Sequence, residues 1–542
     1  MKKLLLFVCL CCLGLIQAQV SLVKDINPGT NNSMPTYVNN RIEFNGQLYF
    51  AAYENVTTRM ELWKTDGTAN GTSLVANIGG NNFNGNPRDF FKWSNSLLFN
   101  VNKLNYSYLY KTNGTSLGTA PVDASNSGNN ANAILFNNEL YYQGNNNELY
   151  KLTSIDGETS PILVYDVGGA SHNGFVKPQI IYQNKLYFVA SDIYQNPQIW
   201  STNGTTAGTN IVMSFGTAAQ TSYPTNFQMF NGKLYFTTNG RLYVNDPDFG
   251  NELWVTDGTT SGTILVEDIN TNGDSNPSNF TIYNGELYFV ATSATLGREL
   301  FKVTSTGNVV NVFDINAGVA NSDPSDLFVY GNKLYYAADN GTDGREIWVT
   351  NTYSGANKQQ KNSNYLVNTT EMFIDIHATG SSNPAGFYKF EDKIYFSAND
   401  GVHGQELWST DFTTSGTVME SDINPNGDSN PTDFIAANNI LFFSANNGTT
   451  GIELFKYQDA SLSANNVSLE KNISLFPNVA NEFFKISSLE KISTVAVYSS
   501  LGKLVKSFET QDEYAISELS SGVYYVKINI KGTYVFKRLL KE

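Results

Sequence analysis

The sequence of 542 residues predicts an all-β protein, made of a long repeat array and a smaller domain at its C-terminal end. Three observations carry this prediction. A phrase of the form Leu-Tyr-Phe, followed by one of the form Glu-Leu-Trp, returns along most of the chain. Pairs such as Asn-Gly and Asp-Gly, which favour tight turns, separate the apolar runs. The array shows no sustained period of 3.6 residues, so helices are not expected there.

The repeat occurs nine times, with intervals of 43 to 60 residues between copies. Complete copies are NGQLYF at 45–50 with ELWKTDGT at 61–68, and NGKLYF at 231–236 with ELWVTDGT at 252–259. Each copy reads as four short strands joined by turns, and four-stranded units of this length are typical of β-propeller blades. The nine anchor residues of the copies are Leu48, Leu97, Leu140, Leu186, Leu234, Leu287, Leu334, Ile394 and Leu441.

The two ends of the array complement each other. The last copy ends with a strand at 453–458 and lacks a fourth strand, whereas residues 21–26 form a strand without a partner. We expect these two strands to pair, because the pairing would remove two exposed sheet edges. The sequence therefore predicts a large propeller over residues 19–458, with about nine four-stranded blades and a ring closed by the N-terminal strand.

The array resembles the ELWxxDGT-repeat proteins of bacteria over residues 20–457. The motif is complete in ELWKTDGTANGT at 61–72 and in ELWVTDGTTSGT at 252–263, and it is weaker in ELFKVTSTG at 299–307. The family has no established catalytic residues, so no catalytic role can be transferred from it to this sequence.

The N-terminal segment, residues 1–18, predicts a secretory signal peptide. Lys2 and Lys3 precede a short apolar run, and Ala18 offers a small residue at the cleavage point. All three cysteines lie in this segment, so no disulfide is expected in the mature chain. No later segment is apolar for about 18 residues, so we expect no membrane span in the mature chain. The net charge of −15 argues against a nucleic-acid partner.

The composition changes after the array. Residues 459–470, DASLSANNVSLE, predict a polar linker. The array at 19–466 has a net charge of −19, whereas residues 467–542 carry 10 basic and 8 acidic residues. Strand-like runs with alternating apolar positions follow the linker.

Residues 471–542 closely resemble the type A C-terminal sorting domain of the type IX, or Por, secretion system. The resemblance implies a small immunoglobulin-like β-sandwich that the outer-membrane translocon recognises. Such domains are usually removed during export, and the cargo is released or attached to the cell surface. One departure is Val479-Ala480, where the family usually has Pro-Ala. The matching motifs are Phe476-Pro477-Asn478, Tyr498 with Leu501-Gly502-Lys503, Leu519 with Ser521-Gly522-Val523-Tyr524, and Lys537-Arg538.

Polar and aromatic residues that recur at one position in several copies are expected to be structural. An Asp or Asn opening the Asp-Gly-Thr turn can accept backbone N–H groups two residues on, which locks the turn. The Glu that opens the Glu-Leu-Trp strand could crowd a rim and bind cations, or cap a loop. The Trp two residues later could line a carbohydrate surface, but packing between blades is favoured. These positions are Asp66, Asn113, Asn203, Asp257, Asn351 and Asp411; Glu61, Glu148, Glu252, Glu299, Glu346, Glu406 and Glu453; and Trp63, Trp200, Trp254, Trp348 and Trp408.

The best metal candidates are two loops that fit the opening of an oxygen-rich calcium site, D-x-N-x-N-G. The sequences are DINPNGD at 422–428 and DINTNGD at 268–274. A metal-free Asx turn is the alternative for both loops, and the sequence requires no other cofactor. The predicted calcium ligands are Asp422, Asn424, Asn426 and Asp428, with Asp268, Asn270, Asn272 and Asp274 as a second site.

These observations favour an exported, secreted or cell-surface protein that acts as a binding or adhesion module, with a glycan or a surface protein as ligand. One alternative is an exported polysaccharide-active enzyme with a carboxylate pair in the propeller mouth, and another is a passive surface-layer protein. A site used once should involve features that are not repeated. The insertion at 240–250, with Asp246 and Asp248, and the insertion at 352–366 are the places where such a site is expected.

Overall fold

The computed structural model describes residues 19–35, 41–54, 59–80, 84–103, 106–122, 133–144, 147–155, 160–169, 174–191, 196–215, 224–239, 247, 249–356, 364–458, 473–477, 479–488, 491–499, 504–530 and 533–542. The chain divides into two compact units, one formed by Ser21–Lys456 and the other containing Tyr457–Glu542. The elements of the described residues are all strands, as predicted.

The first unit contains nine four-stranded sheets within the described residues. The chain starts with β1 (Gln19–Lys24), and sheets 1 to 8 then each take four consecutive strands that pair in antiparallel fashion. Sheet 1 contains β2 (Arg41–Phe44), β3 (Gln47–Glu54), β4 (Arg59–Thr65) and β5 (Ser73–Ala76); sheet 2 contains β6 (Arg88–Trp93), β7 (Ser96–Lys103), β8 (Tyr106–Thr112) and β9 (Ala120–Pro121); sheet 3 contains β10 (Ile134–Phe136), β11 (Glu139–Gln143), β12 (Leu149–Leu152) and β13 (Ile162–Tyr165).

The middle sheets follow the same plan. Sheet 4 contains β14 (Lys177–Tyr182), β15 (Lys185–Ser191), β16 (Pro197–Thr202) and β17 (Asn210–Ser214); sheet 5 contains β18 (Thr225–Phe230), β19 (Lys233–Thr238), β20 (Glu252–Thr256) and β21 (Ile264–Glu267); sheet 6 contains β22 (Ser278–Tyr283), β23 (Glu286–Ser293), β24 (Gly297–Val303) and β25 (Val309–Phe313).

The last three sheets complete the unit. Sheet 7 contains β26 (Ser325–Tyr330), β27 (Lys333–Asp339), β28 (Arg345–Ala356) and β29 (Asn364–Ile374); sheet 8 contains β30 (Ala385–Phe390), β31 (Lys393–Asn399), β32 (Gln405–Thr410) and β33 (Val418–Ser421); sheet 9 contains β34 (Thr432–Ala437), β35 (Ile440–Asn446), β36 (Ile452–Gln458) and β1.

The Asn-Gly pairs form the predicted hairpin turns. Asn45 and Gly46 both have positive φ, at 51° and 74°, which is the backbone of a type I′ turn. The turn sets the register that pairs Phe44 with Gln47. It therefore places the anchor Leu48 at a fixed point of the strand, where it is fully buried.

Sheet 9 combines strands from the two ends of the array, as the sequence predicted. Its strand order is β1-β36-β35-β34, so the predicted pairing of the N-terminal strand with the strand at 453–458 is confirmed. Val23 from β1 and Phe442 from β35 pack in one buried cluster with Leu48 and Trp63 of sheet 1. The last sheet and the first sheet therefore share a core.

A buried apolar cluster also joins each consecutive pair of sheets from 1 to 8. The repeated Trp side chains belong to these clusters. Trp200, for example, lies in the cluster between sheets 3 and 4, where its ring stacks on that of Phe188 with centroids 6.0 Å apart. The interpretation of these tryptophans as residues that pack between neighbouring sheets is confirmed.

The second unit contains two sheets that share one apolar core, with Phe484 and Tyr514 from one sheet and Val495 and Val526 from the other. One sheet has the order β37-β39-β42, and the other has the order β38-β44-β43-β40-β41, with β38 parallel to β44. The strands are β37 (Ile473–Phe476), β38 (Val479–Ala480), β39 (Phe483–Ser488), β40 (Ile492–Ser499), β41 (Leu504–Glu509), β42 (Tyr514–Ala515), β43 (Gly522–Ile530) and β44 (Thr533–Lys541).

Candidate binding site

The Asp-Gly-Thr turns are held by their own side chains. In sheet 5, Asp257 Oδ1 accepts the backbone N–H of Thr259 at 2.9 Å and its hydroxyl at 2.7 Å. The Thr259 hydroxyl oxygen in turn accepts the N–H of Gly262 at 3.0 Å. The hydroxyls of Thr256 and Thr263 lie 2.7 Å apart and close the base of the turn.

The same bonds recur in other sheets, which makes them structural. The turns of sheets 1 and 8 use Asp66 and Asp411, and those of sheets 2 and 4 use Asn113 and Asn203. Asn351 departs from the pattern, because β28 continues through it and pairs it with Thr369 of β29. A catalytic role for the repeated carboxylates is therefore not needed to explain them.

The repeated Glu side chains are buried acceptors that fix the loop leaving each sheet. In sheet 5, Glu252 accepts the N–H of Ile269 at 3.1 Å, and both the N–H and the hydroxyl of Ser275, at 2.8 and 2.5 Å. Burial raises the pKa of Glu252 to about 7, against the lowering effect of the Ser275 and Ile269 bonds. The equivalent residues Glu299 and Glu453 also have a pKa of about 7, for the same main reason.

The predicted calcium loops use many of their oxygen and amide groups within the chain. The Asn424 side chain donates to the main-chain oxygen of Asp428 at 3.0 Å, and the Asp428 carboxylate accepts the N–H of Gln405 at 2.8 Å. The N–H of Asn426 points at Asn424 Oδ1, 3.3 Å away, as in an Asx turn. The other loop repeats these contacts with Asn270, Asp274, Asn251 and Asn272.

Two oxygens of these loops keep no partner. Asp268 Oδ1 and Asp422 Oδ1 are buried and accept no hydrogen bond within the described residues. Asp433, which is the twelfth residue of a loop that starts at Asp422, instead faces Arg41, with 3.5 Å between Nη2 and Oδ2. Among the described residues, no three His, Cys, Asp or Glu side chains come together as a metal site. Calcium binding at these loops stays a prediction.

The turn of sheet 8 differs from all its equivalents at one residue. Phe412 stands where the turns of sheets 1, 2, 4 and 5 have glycine, and its φ is +59°. In those sheets the glycine has a φ between 91° and 94°. A bulky residue with positive φ is a backbone outlier, and such strain is concentrated at functional sites.

The Phe412 ring belongs to an aromatic group between sheets 7 and 8. It stacks on Tyr335 with a centroid distance of 3.5 Å and an angle of 15°. Tyr330 lies 5.2 Å and Phe373 lies 5.8 Å from it. Phe412 and Tyr330 are only half-buried, so parts of both rings face the solvent.

These two half-buried rings line a cleft of about 580 Å³ in the first unit. Its other lining residues are mostly polar, and they come from the β26–β27 turn, from the hairpin of β28 and β29, and from the turn of sheet 8. Within the described residues, the side chains of Asn332, Lys333, Asn351 and Thr369 make no hydrogen bond, although the Tyr283 hydroxyl donates to the main-chain oxygen of Asn332 at 2.8 Å. The full lining is Tyr330, Gly331, Asn332, Lys333, Tyr335, Asn351, Thr369, Asp411 and Phe412.

Two departures from the repeat meet at this cleft. One is Phe412, and the other is the insertion at 352–366, which lengthens the hairpin of β28 and β29 and leaves Asn351 and Thr369 paired at its base. Sequence reasoning identified the insertion as a place for a site but missed Phe412. The signal was present, because TDFTTSGT at 410–417 breaks the Asp-Gly-Thr rule. In the other insertion, residues 240–246 and 248 lie outside the described residues, and these include Asp246 and Asp248.

Of the residues that carry the sorting-domain resemblance, Phe476 is strongly exposed, and Arg538 is exposed on β44. Asn478 and Leu501-Gly502-Lys503 lie outside the described residues, as does the predicted signal peptide at 1–18. The described residues contain no helix that is long and apolar enough to span a bilayer.

Comparison with solved structures finds distant likenesses. The extracellular domain of a protein described as a hybrid two-component system of B. thetaiotaomicron is 12% identical, with 94% of this chain and 82% of that chain covered and a TM-score of 0.28. Prolyl oligopeptidase B from Galerina marginata is 10% identical, with 94% and 57% covered and a TM-score of 0.38. A puromycin-hydrolysing peptidase of Mycobacterium tuberculosis is 11% identical, with 67% and 58% covered and a TM-score of 0.33. No curated protein matches the chain.

The comparison with protein families gives a definite result at the C-terminal end. Residues 474–542 match the family described as the secretion system C-terminal sorting domain. The match confirms the domain that the sequence motifs predicted. The chain is therefore exported by the type IX secretion system to the extracellular space or the cell surface.

Proposed function

We propose that this protein is an exported binding module, which presents a ligand cleft between sheets 7 and 8. The observation that carries the proposal is the contrast between repeated and unrepeated polar groups. The repeated Asp, Asn and Glu side chains are used to hold turns and loops. The cleft beside Phe412 instead combines exposed rings with polar side chains that have no partner within the described residues. Such a combination is typical of ligand sites.

The proposal includes a closed propeller in which the nine sheets are the blades. It is supported by one bond that recurs between neighbours. Lys64 of sheet 1 donates to the Gly114 carbonyl of sheet 2 at 3.0 Å, and Lys151 of sheet 3 donates to the Gly204 carbonyl of sheet 4 at 3.1 Å. Lys456 of sheet 9 donates to the equivalent Gly67 carbonyl of sheet 1 at 2.8 Å. Sheet 9 therefore contacts sheet 1 through the same bond that joins sheet 1 to sheet 2 and sheet 3 to sheet 4.

Three further elements of the proposal rest on the sequence. They are the signal peptide at 1–18, the kinship of the array with the ELWxxDGT-repeat proteins, and an immunoglobulin-like form for the sorting domain. The proposal also includes an adhesive role on the cell surface. During export, the outer-membrane translocon is the proposed partner of residues 471–542.

Cell fractionation tests the export route. A chain that lacks residues 467–542 should remain in the periplasm, because it has lost the segment that the translocon recognises. The full chain in the same cells is the control, and resistance of the truncated chain to mild proteolysis reports that the array has folded. Full-level appearance of the truncated chain on the surface or in the medium would contradict the proposal.

Binding assays with the exported chain test the ligand function. The chain is applied to a glycan array and to a panel of purified surface and matrix proteins. Saturable binding to a member of either panel supports a binding module. If no member of either panel is bound, the proposed binding function fails.

A further inference from the structure

We infer that the cleft between sheets 7 and 8 binds a neutral oligosaccharide, with Phe412 and Tyr330 as its apolar contacts and Asp411 as a hydrogen-bond acceptor. The inference rests on the proposed binding function and adds to it the position of the site and the class of ligand.

The rings supply the apolar part of the site. Phe412 is kept in place by stacking on Tyr335, which is itself buried, so the exposed part of Phe412 is a rigid surface. The residue equivalent to Tyr330 is buried in several other sheets, as with Phe44, Tyr283 and Phe390, whereas Tyr330 is half-exposed. Both aromatic side chains give large contact area at low entropic cost, and the hydroxyl of Tyr330 adds a polar tip, which suits a ligand with both C–H and O–H faces.

The polar groups of the cleft match a polyhydroxylated ligand. Asn332 and Asn351 each offer an amide that can both donate and accept, and Thr369 offers a hydroxyl. Asp411 uses Oδ1 for the Thr413 N–H and hydroxyl, at 2.8 and 2.7 Å. These bonds lower the pKa of Asp411, whose exposed carboxylate can therefore accept hydroxyl donors in its ionised form.

The charges of the cleft favour a neutral ligand over an acidic one. The lining contains one cation, Lys333, and one anion, Asp411. The array as a whole has a net charge of −19, so its field repels polyanions. The volume of about 580 Å³ lies in the range of roughly 300–1,000 Å³ that is usual for small-ligand sites, and it suits a short stretch of saccharide.

The repeat itself provides variants that alter the cleft and keep the fold. Phe412→Gly restores the residue of four equivalent turns, and Asp411→Asn restores the residue of the turns in sheets 2 and 4. Asp257→Asn makes the same exchange in sheet 5, away from the cleft, and is the matched control. Lys333→Ala has an equivalent control in Lys233→Ala, which also follows a hairpin turn.

The experiment starts with the unaltered exported chain on an array of cello-, malto-, manno-, xylo- and chito-oligosaccharides, with uronic-acid and sulfated oligosaccharides as the acidic arm. The best neutral saccharide is then titrated calorimetrically into the chain and its variants. We expect Phe412→Gly and Asp411→Asn each to weaken binding about tenfold or more. Asp257→Asn should bind like the unaltered chain, and all the melting temperatures should stay within a few degrees.

Each other result overturns the inference in a distinguishable way. If the cleft variants bind the saccharide as well as the unaltered chain does, the site lies elsewhere and the proposed binding function stands. If the acidic oligosaccharides bind better than the neutral ones, the ligand class is wrong. If only a surface protein is bound, the inference fails and the binding function stands. Should Phe412→Gly lower the melting temperature strongly, Asp411→Asn decides the result.

Discussion

The Oδ1 atom of Asp257 holds the turn of sheet 5, and it lies too close to Gly262 for a methyl group to fit at that residue. A Cβ added to Gly262 would lie 2.0 Å from Asp257 Oδ1, so the carboxylate would have to leave its place. We predict that Gly262→Ala destabilises the protein, because Thr259 then loses the acceptor of its N–H and hydroxyl. Urea unfolding measures the change, with the exposed Ser261→Ala as control.

A double-mutant cycle separates this cause from others. Asp257→Ala removes the carboxylate that Gly262→Ala would displace, so the glycine exchange should cost almost nothing more in that background. Additive costs of the two exchanges would mean that the methyl group acts on something other than the turn.

Asp422 is the residue on which the predicted calcium site depends most. Its Oδ1 is buried with no hydrogen-bond partner among the described residues, and a hard cation would satisfy it. The calcium hypothesis predicts that millimolar calcium raises the melting temperature of the protein, because a bound ion stabilises the folded state. It also predicts that Asp422→Ala loses this rise, while the exposed Asp392→Ala keeps it. If the unaltered chain shows no rise, both loops are ordinary Asx turns.

At the level of single residues, the sequence predicted the roles of the repeated turn residues but not the role of Phe412. The role of the Asp and Asn turn residues followed from their recurrence and from the short reach of their side chains. The sequence led to no prediction for Phe412. Its importance depends on Tyr330 and Tyr335, which lie far from it in sequence and meet it only when sheets 7 and 8 are side by side.

At the scale of the element, the glutamate that opens the third strand of most sheets joins that strand to the loop that leaves the sheet. The sequence left open whether these side chains crowd a rim or cap a loop. The answer required partners that are distant in sequence, such as Ile269 and Ser275, which lie 17 and 23 residues after Glu252. Spacing of this kind varies with loop length, so the motif alone could not identify the partner.

This arrangement makes the stability of the array depend on pH. The pKa of Glu252 is about 7 in the folded protein and about 4.5 when the chain is unfolded, so the folded state binds more protons between these values. The free energy of unfolding should therefore fall as the pH rises from about 4.5 to about 7. We predict that Glu252→Gln reduces the difference in urea midpoint between pH 5 and pH 8, whereas the exposed Glu371→Gln leaves it unchanged. An equal difference in both variants would show that Glu252 does not titrate in this range.

The whole molecule depends on a strand that the chain supplies before its first repeat. The nine-sheet arrangement followed from counting copies, and the pairing of β1 with β36 followed from a missing fourth strand. The sequence could predict these because hydrogen-bonding edges must be satisfied. The longest of the eight intervals, between Leu334 and Ile394, pointed to the insertion at 352–366, but the sequence could not show that Phe412 of sheet 8 would stack on Tyr335 of sheet 7 beside it.

We predict that the N-terminal strand β1 is needed for the stability of the protein. Deleting residues 19–27 exposes the edge of β36 and removes Val23 and Ile26, which are both buried. It also removes the N–H that Ile26 donates to Glu453 at 3.3 Å. Burial of two such side chains is worth roughly 3–6 kcal/mol, so the truncated protein should unfold at a clearly lower urea concentration. A synthetic peptide of residues 19–27 should restore the midpoint when added in excess, because it can add itself to the free edge. A peptide with Asp in place of Val23 and Ile26 is the matched control and should have no effect, whereas an unchanged midpoint of the truncated chain would mean that β1 does not hold sheet 9 together.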